Sequence, residues 1–138
     1  MKVILVLISL LLVGCANTGA RFNSDEIIES PKTLSTVYFY RPSAFQGSAI
    51  SFPIIANDIR LGELDNGGYT KIIISPGIYK FHSDTLLIDR ISTFKFKAGN
   101  TYFIRVFIEM GIWVSSIRFT ETYKDDALLD MRKSRLQL

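Results

Sequence analysis

The sequence predicts a mostly β fold: an antiparallel β-sandwich, or a partly open barrel, with a C-terminal α-helix packed on the sheet. Three observations carry this. From Val37 onward, turn-forming residues recur roughly every ten positions, the spacing of short antiparallel strands. Between the turns, β-branched and aromatic residues alternate with polar ones at a period of two, so successive side chains take opposite faces. Past Thr122 that alternation gives way to an apolar stripe at helical spacing.

Before the strands lies a short leader pattern. Met1 and Lys2 give a positive start, and Val3 to Val13 is an apolar run broken only by Ser9. The run has the length of a secretory signal core, about 7–15 residues, and falls short of the roughly 20 residues needed to cross a bilayer. It ends at Leu12-Val13-Gly14-Cys15, which contains the single cysteine of the chain. These four residues resemble the bacterial lipoprotein signal at every position. The resemblance implies signal cleavage between Gly14 and Cys15, diacylglycerol on the Cys15 sulfur and fatty-acid (palmitate-type) acylation of the new amino group. Each buried CH₂ contributes about 0.8 kcal/mol and one chain anchors only marginally, so two or three chains would hold the protein on a membrane. Ala16 stands where lipoproteins retained at the inner membrane often carry Asp. In a Gram-negative cell this favours the periplasmic face of the outer membrane.

This gives residues 1–14 as signal peptide, 15–33 as lipidated N-terminus and flexible tether, and 34–138 as a β-rich domain. In the tether Asn, Ser, Thr and Gly recur without periodicity, while Ile27 and Ile28 are placed to dock or to form a short turn of helix. Val37 to Tyr40 is the first strand, stopped by Arg41-Pro42. Ile50 to Ala56 is the second, with Pro53 demanding an edge position or a bulge. Asn57-Asp58 turns into Ile59 to Leu64, and Asp65-Asn66-Gly67-Gly68, the strongest turn signal, leads into Tyr69 to Ile74. Ser75-Pro76-Gly77 turns into Ile78 to Ser83. Leu86 to Arg90 reads as a short strand or a loop. In Ile91 to Lys97, Phe94 and Phe96 share one face, with Thr93, Lys95 and Lys97 on the other.

Ala98-Gly99-Asn100 turns into Thr101 to Glu109, and Ile112 to Glu121 returns. Tyr102, Ile104, Val106 and Ile108 face one way and should pack with Trp113, Ile117 and Phe119. Phe103 and Phe107 face the other way, and a strand apolar on both faces is usually covered on both. The cover expected is a helix over about residues 122–136, with Thr122 and Asp125 as a capping pair and Ala127, Leu128 and Met131 as its apolar stripe. A helix this short is marginal alone in water and should dock on the sheet.

Composition excludes several chemistries. Lys and Arg number 16 against 13 Asp and Glu, too small an excess to argue for nucleic acid. One histidine and one cysteine cannot supply the four N or S ligands of a structural transition-metal site, and no cofactor is implied. His82-Ser83-Asp84 resembles a triad only in print, because neighbours in a strand point to opposite faces. Asp84 and Asp89 with His82 form the alternative reading, an envelope hydrolase. Gly67-Gly68 and Pro76-Gly77 do not open helices, so they are turn glycines and not phosphate cradles. Tyr38, Tyr40, Arg41 and Tyr69 form a candidate recognition surface, although aromatic residues in strands more often serve packing.

The elements Val37-Tyr38-Phe39-Tyr40-Arg41-Pro42, Ile54 to Leu64 with its Asn57-Asp58 turn and Gly62, Gly68-Tyr69, Ser75-Pro76-Gly77-Ile78-Tyr79 and Ala98 to Ile104 resemble a family of short prokaryotic lipoproteins. That family is known as a domain of unknown function, twenty-eight forty-six. The resemblance spans about residues 36–135 and implies no activity, cofactor or catalytic residue. The function expected is a lipid-anchored, non-enzymatic cell-envelope lipoprotein. Its partners would be the membrane, through acyl chains on Cys15, and an envelope protein or glycan. A homo-oligomeric structural protein, pairing through strand edges or the Phe103/Phe107 face, is the other alternative.

Overall fold

The computed structural model describes residues 19–86 and 88–137. Leu12-Val13-Gly14-Cys15 and the expected signal segment lie outside the described residues. Among the described residues nine strands and one α-helix follow in order: β1 (Ser35–Tyr40), β2 (Phe52–Ala56), β3 (Ile59–Leu64), β4 (Gly68–Ile74), β5 (Gly77–His82), β6 (Ser92–Phe96), β7 (Thr101–Glu109), β8 (Ser116–Thr122), α1 (Lys124–Met131) and β9 (Arg135–Leu136). The strands form two sheets, β8-β7-β1-β4-β9 and β3-β2-β5-β6. They face each other without closing, so the architecture is a sandwich and not a barrel.

The larger sheet is not purely antiparallel. β1 pairs antiparallel with β4 and parallel with β7, and β9 runs parallel to β4. The parallel pair puts β1 in the centre of the sheet, where all six residues are buried. The run Val37-Tyr38-Phe39-Tyr40 explains this placement, since a strand apolar on both faces stabilises the fold most where both faces are covered.

Between the sheets, Val37, Phe39, Ile104, Val106, Ile117 and Phe119 meet Phe52, Ile54, Leu64, Phe81 and Phe96. The other face of the larger sheet carries Tyr38, Tyr40, Tyr69 and Phe103, covered by Ala127 and Met131 of α1 and by Phe22, Ile27 and Leu128. Phe103 therefore has the helical cover that its strand pattern demanded, and it stacks on Tyr38 with ring centroids 5.3 Å apart.

Turn chemistry falls where expected. Asn57 and Asp58 both take positive φ, at 47° and 66°, and join β2 to β3. Pro53 pairs only with β3, because β5 reaches β2 at Ile55 and Ala56 alone, and a bulge follows between Ile54 and Ile55.

Several expectations are corrected. α1 covers residues 124–131 and not 122–136, and the chain then straightens into β9. Thr122 does not cap the helix. Tyr123 takes the cap position without a side-chain bond, while the Thr122 hydroxyl sits 3.3 Å from the Phe103 carbonyl and 3.0 Å from the Tyr40 hydroxyl. Of the two readings left open for Leu86 to Arg90, the described residues 86 and 88–90 fit the loop, with Ile88 making a single bridge to Ser116. β8 begins at Ser116 and not at Ile112, so Trp113 lies in the β7–β8 loop, 93% exposed, and does not pack with Ile117 and Phe119.

The expected tether is partly bound. Arg21 bridges Arg135, the Phe22 amide donates to the Ser134 carbonyl at 2.9 Å, and the Leu136 amide donates to the Ala20 carbonyl at 2.8 Å. A 3-10 turn at Ser24–Glu26, capped by the Asn23 side chain, then lays Ile27 on the sheet. Among the described residues no helix is long and apolar enough to cross a membrane.

Candidate functional site

The four residues of the candidate recognition surface lie inside the protein, so that surface does not exist as expected. Tyr38, Tyr40, Arg41 and Tyr69 are all buried, the most exposed of them, Tyr69, at 7%. The cause is the double cover of β1: the face that would have been free is closed by α1 and the N-terminal arm.

The buried tyrosines are organised as hydrogen-bonding posts. The Tyr40 hydroxyl lies 3.0 Å from Thr122 Oγ1 and donates to Asp130 Oδ2 at 3.3 Å, joining β1, β8 and α1. Arg105 Nε approaches the same carboxylate at 3.7 Å. Burial, with the Asp130 charge beside it, pushes the Tyr40 phenol up to about 12. Tyr38 accepts from the Ile28 amide at 3.4 Å, and its phenol is raised by burial. Tyr69 packs edge-on against Phe22 and is raised for the same reason.

Arg41 is a clasp and not a ligand-binding cation. Its guanidinium donates to the carbonyls of Ile50, Leu64 and Gly47, and it lies 3.4 Å above the Phe52 ring. These contacts hold the β1–β2 loop against the end of β3. Desolvation by burial lowers it to about 10, which leaves it charged at neutral pH.

His82 and Asp89 do come together. His82 Nδ1 lies 2.6 Å from Asp89 Oδ2, and Nε2 lies 3.9 Å from Asp58 Oδ1. Asp84 is exposed, and the carboxylates facing His82 are those of Asp89 and Asp58. The Ser83 hydroxyl points inward, buried and without a partner among the described residues. The sequential trio is thus split as strand geometry requires. The His82–Asp89 contact ties the β5–β6 loop to the end of β5. Among the described residues no group of three His, Cys, Asp or Glu side chains is arranged to hold a metal ion.

Two open grooves of about 470 Å³ each flank the N-terminal arm. One runs between Ile28 and the start of α1, along Tyr102 and Glu121. The other lies between Phe22 and β4, along Tyr69, Lys71 and Leu136. His82, Asp84 and Asp89 line neither. Both grooves are walled by the segment that leads back toward Cys15, so the arm shapes the surface beside it.

Sequence reasoning missed the most exposed apolar group. Ile112 and Trp113 are each 93% exposed, Phe45 is 95% exposed, and Met110 and Ile91 are also exposed. They sit on three loops at one end of the sandwich. Gly47 packs against Ile108 near the base of the β7–β8 hairpin, and Ile88 bridges Ser116 at its return. The signal was legible in part: no charged residue occurs from Met110 to Ile117. Gly111 breaks the strand as its residue type implies, but the return strand expected from Ile112 starts only at Ser116, so the turn runs on through Trp113, and a Cβ on Gly111 would meet the Val114 carbonyl oxygen.

Comparison with known proteins gives one result. No curated protein and no solved structure matches the chain. A family model does match, over residues 31–117, which spans β1 to β7 and enters β8. On that match, covering more than half of its length, the chain belongs to the family described as Protein of unknown function (DUF2846).

Proposed function

We propose that the protein is a lipid-anchored lipoprotein of the bacterial cell envelope, non-enzymatic, and held on its membrane by acyl chains on Cys15. The observation that carries this reading is Leu12-Val13-Gly14-Cys15 at the end of a short apolar run that opens with Lys2. The only cysteine of the chain stands there, so in an oxidising compartment it has no intramolecular disulfide partner. In a Gram-negative cell Ala16 favours the periplasmic face of the outer membrane.

The position of the arm supports the same reading. Residues 19–30 lie along the folded domain, and only three residues separate Cys15 from Gly19. A lipid on Cys15 would hold the sandwich close to the bilayer. The reading gives His82 and Asp89 a structural role, and the inward-facing Ser83 supports that assignment because a substrate could not reach it.

The test is metabolic labelling with an alkynyl fatty acid. Wild-type protein is expected to carry label in the membrane fraction, and Cys15→Ala is expected to carry none. Equal label on both, or none on either, would remove the anchor from the account.

A further inference from the structure

We propose that the open edge of β4 accepts an extended strand of another protein, one that sets an acidic side chain opposite Lys71 and an apolar one opposite Ile72. This contact needs no lipid on Cys15.

Strand register shows which main-chain groups are available. The Arg41 amide donates to the Gly68 carbonyl at 2.9 Å, so Arg41 and Gly68 are a hydrogen-bonded pair between β1 and β4. In an antiparallel ladder such pairs alternate with pairs whose groups point away. Thr70 and Ile72, opposite Phe39 and Val37, therefore bond to β1, while Tyr69, Lys71 and Ile73 turn their N–H and C=O groups outward. β9 meets this edge only at Gly68 and Tyr69, and the Tyr69 carbonyl accepts from the Gln137 amide at 2.8 Å. Past that point the outward groups of Lys71 and Ile73 have no backbone partner among the described residues. The open lane runs on to Ile74, where β4 ends.

An edge of this kind pairs with another extended backbone. The lane also has walls for side chains. The groove of about 470 Å³ between Phe22 and β4 runs along it. Lys71 lies on the same face as Tyr69, toward Phe22 and Glu26 of the arm. Ile72 turns the other way, to the core between the sheets, and Leu61 of the opposite sheet lines the groove there. An added strand would place successive side chains against these two walls in turn.

The other outer strands are better guarded. The register of β3 is irregular beside Ile54 and Ile55, and β3 carries Arg60 and Glu63. β6 is five residues long with Lys95, and β8 carries Arg118 and Glu121. In the lane, Lys71-Ile72-Ile73-Ile74 holds one charge, and Ile73 is 48% exposed.

That charge selects the occupant. Lys71 forms no ion pair among the described residues, although Glu26 lines the same groove. A second copy pairing antiparallel about Ile72 would bring two Lys71 ammonium groups to diagonal positions about 7–8 Å apart on one face, where like charges repel. An acidic residue opposite Lys71 makes the favourable cross-strand pair instead.

The probe is the pentapeptide acetyl-Glu-Val-Thr-Val-Glu-amide, whose pattern fits the lane in either direction. Its control carries Lys at both ends in place of Glu. Full-length protein extracted in detergent micelles is mixed with each peptide at millimolar concentration, and amide hydrogen exchange is read residue by residue. The acidic peptide is expected to slow exchange at Lys71 and Ile73 at least threefold, and the basic peptide to leave it unchanged. Ile73→Pro removes an outward donor without removing a bond to β1. It is expected to abolish the slowing at Lys71 while Thr70 and Ile72 stay protected, which shows the strand intact. Lys71→Glu is expected to reverse the preference, so that the basic peptide slows Ile73.

No slowing by the acidic peptide, equal slowing by both, or slowing at Lys71 that Ile73→Pro retains would overturn the proposal. So would Lys71 and Ile73 amides as protected as that of Ile72 before any peptide is added. Protection of that kind lost on dilution would assign the lane to a second copy, and protection that persists would assign it to this chain's own termini.

Discussion

At the residue scale, the side chains that looked most like a binding surface are the ones that hold the fold together. Arg41 brings a charge into the interior and satisfies three backbone carbonyls with it. Removing the guanidinium strands those acceptors and empties the space over Phe52. Arg41→Ala is expected to destabilise by about 3 kcal/mol in denaturant unfolding, the usual scale for breaking a buried charged network.

Tyr40 gives a pH test. Its phenol is raised from 10.0 to about 12, so the folded protein holds that proton more tightly than the unfolded chain. The stability it contributes is complete below pH 10 and is lost as pH rises toward 12. Arg41 acts in the opposite sense over the same range, because its folded value is lowered from 12.5 to about 10. Wild type alone would therefore mix two effects. The stability difference between wild type and Tyr40→Phe isolates the phenol, and it is expected to shrink as pH rises from 10 toward 12. A constant difference would show that the Tyr40 proton is not coupled to folding.

At the element scale, what the sequence disclosed depended on how local the cause was. Strands β3 to β7 lie within about two residues of their expected positions, because each is bounded by turn residues such as Asn57-Asp58 and Gly67-Gly68. The apolar stripe of α1 was also legible, since Ala127 and Met131 are both fully buried. The parallel pairing of β1 with β7 was not, because it joins segments over sixty residues apart and no local signal carries it. Neither was the short β9, two residues drawn into strand geometry by the free edge of β4.

The helix makes a direct prediction. Met131 closes the face over Tyr38, Tyr40 and Phe103. Met131→Ala is expected to cost about 2–4 kcal/mol, the range for emptying a fully buried site of this size. Deleting residues 123–138 exposes that whole face and is expected to lower the thermal midpoint sharply. An unchanged midpoint would mean that the helix contributes nothing to the fold.

At the scale of the whole molecule, the two ends of the sandwich differ in character. One end gathers the β1–β2, β3–β4, β5–β6 and β7–β8 loops, and with them Phe45, Ile91, Ile112 and Trp113. The N-terminal arm is hydrogen-bonded along β9 and, followed from Arg21 back to Gly19, runs antiparallel to the strands that rise to this end, away from the β3–β4 turn. The proposed anchor motif is a contiguous word in the chain, so reading it requires no knowledge of the fold. The exposed loop was not legible, because it depends on the turn at Gly111 running on to Ser115 and on three separate loops meeting in space.

The account rests on the chemical state of Cys15, and intact mass of the N-terminal peptide of the native, membrane-extracted protein reads that state directly. It predicts a peptide that begins at Cys15 and carries the added mass of thioether-linked diacylglycerol. A peptide that still contains residues 1–14 with an unmodified thiol would contradict it.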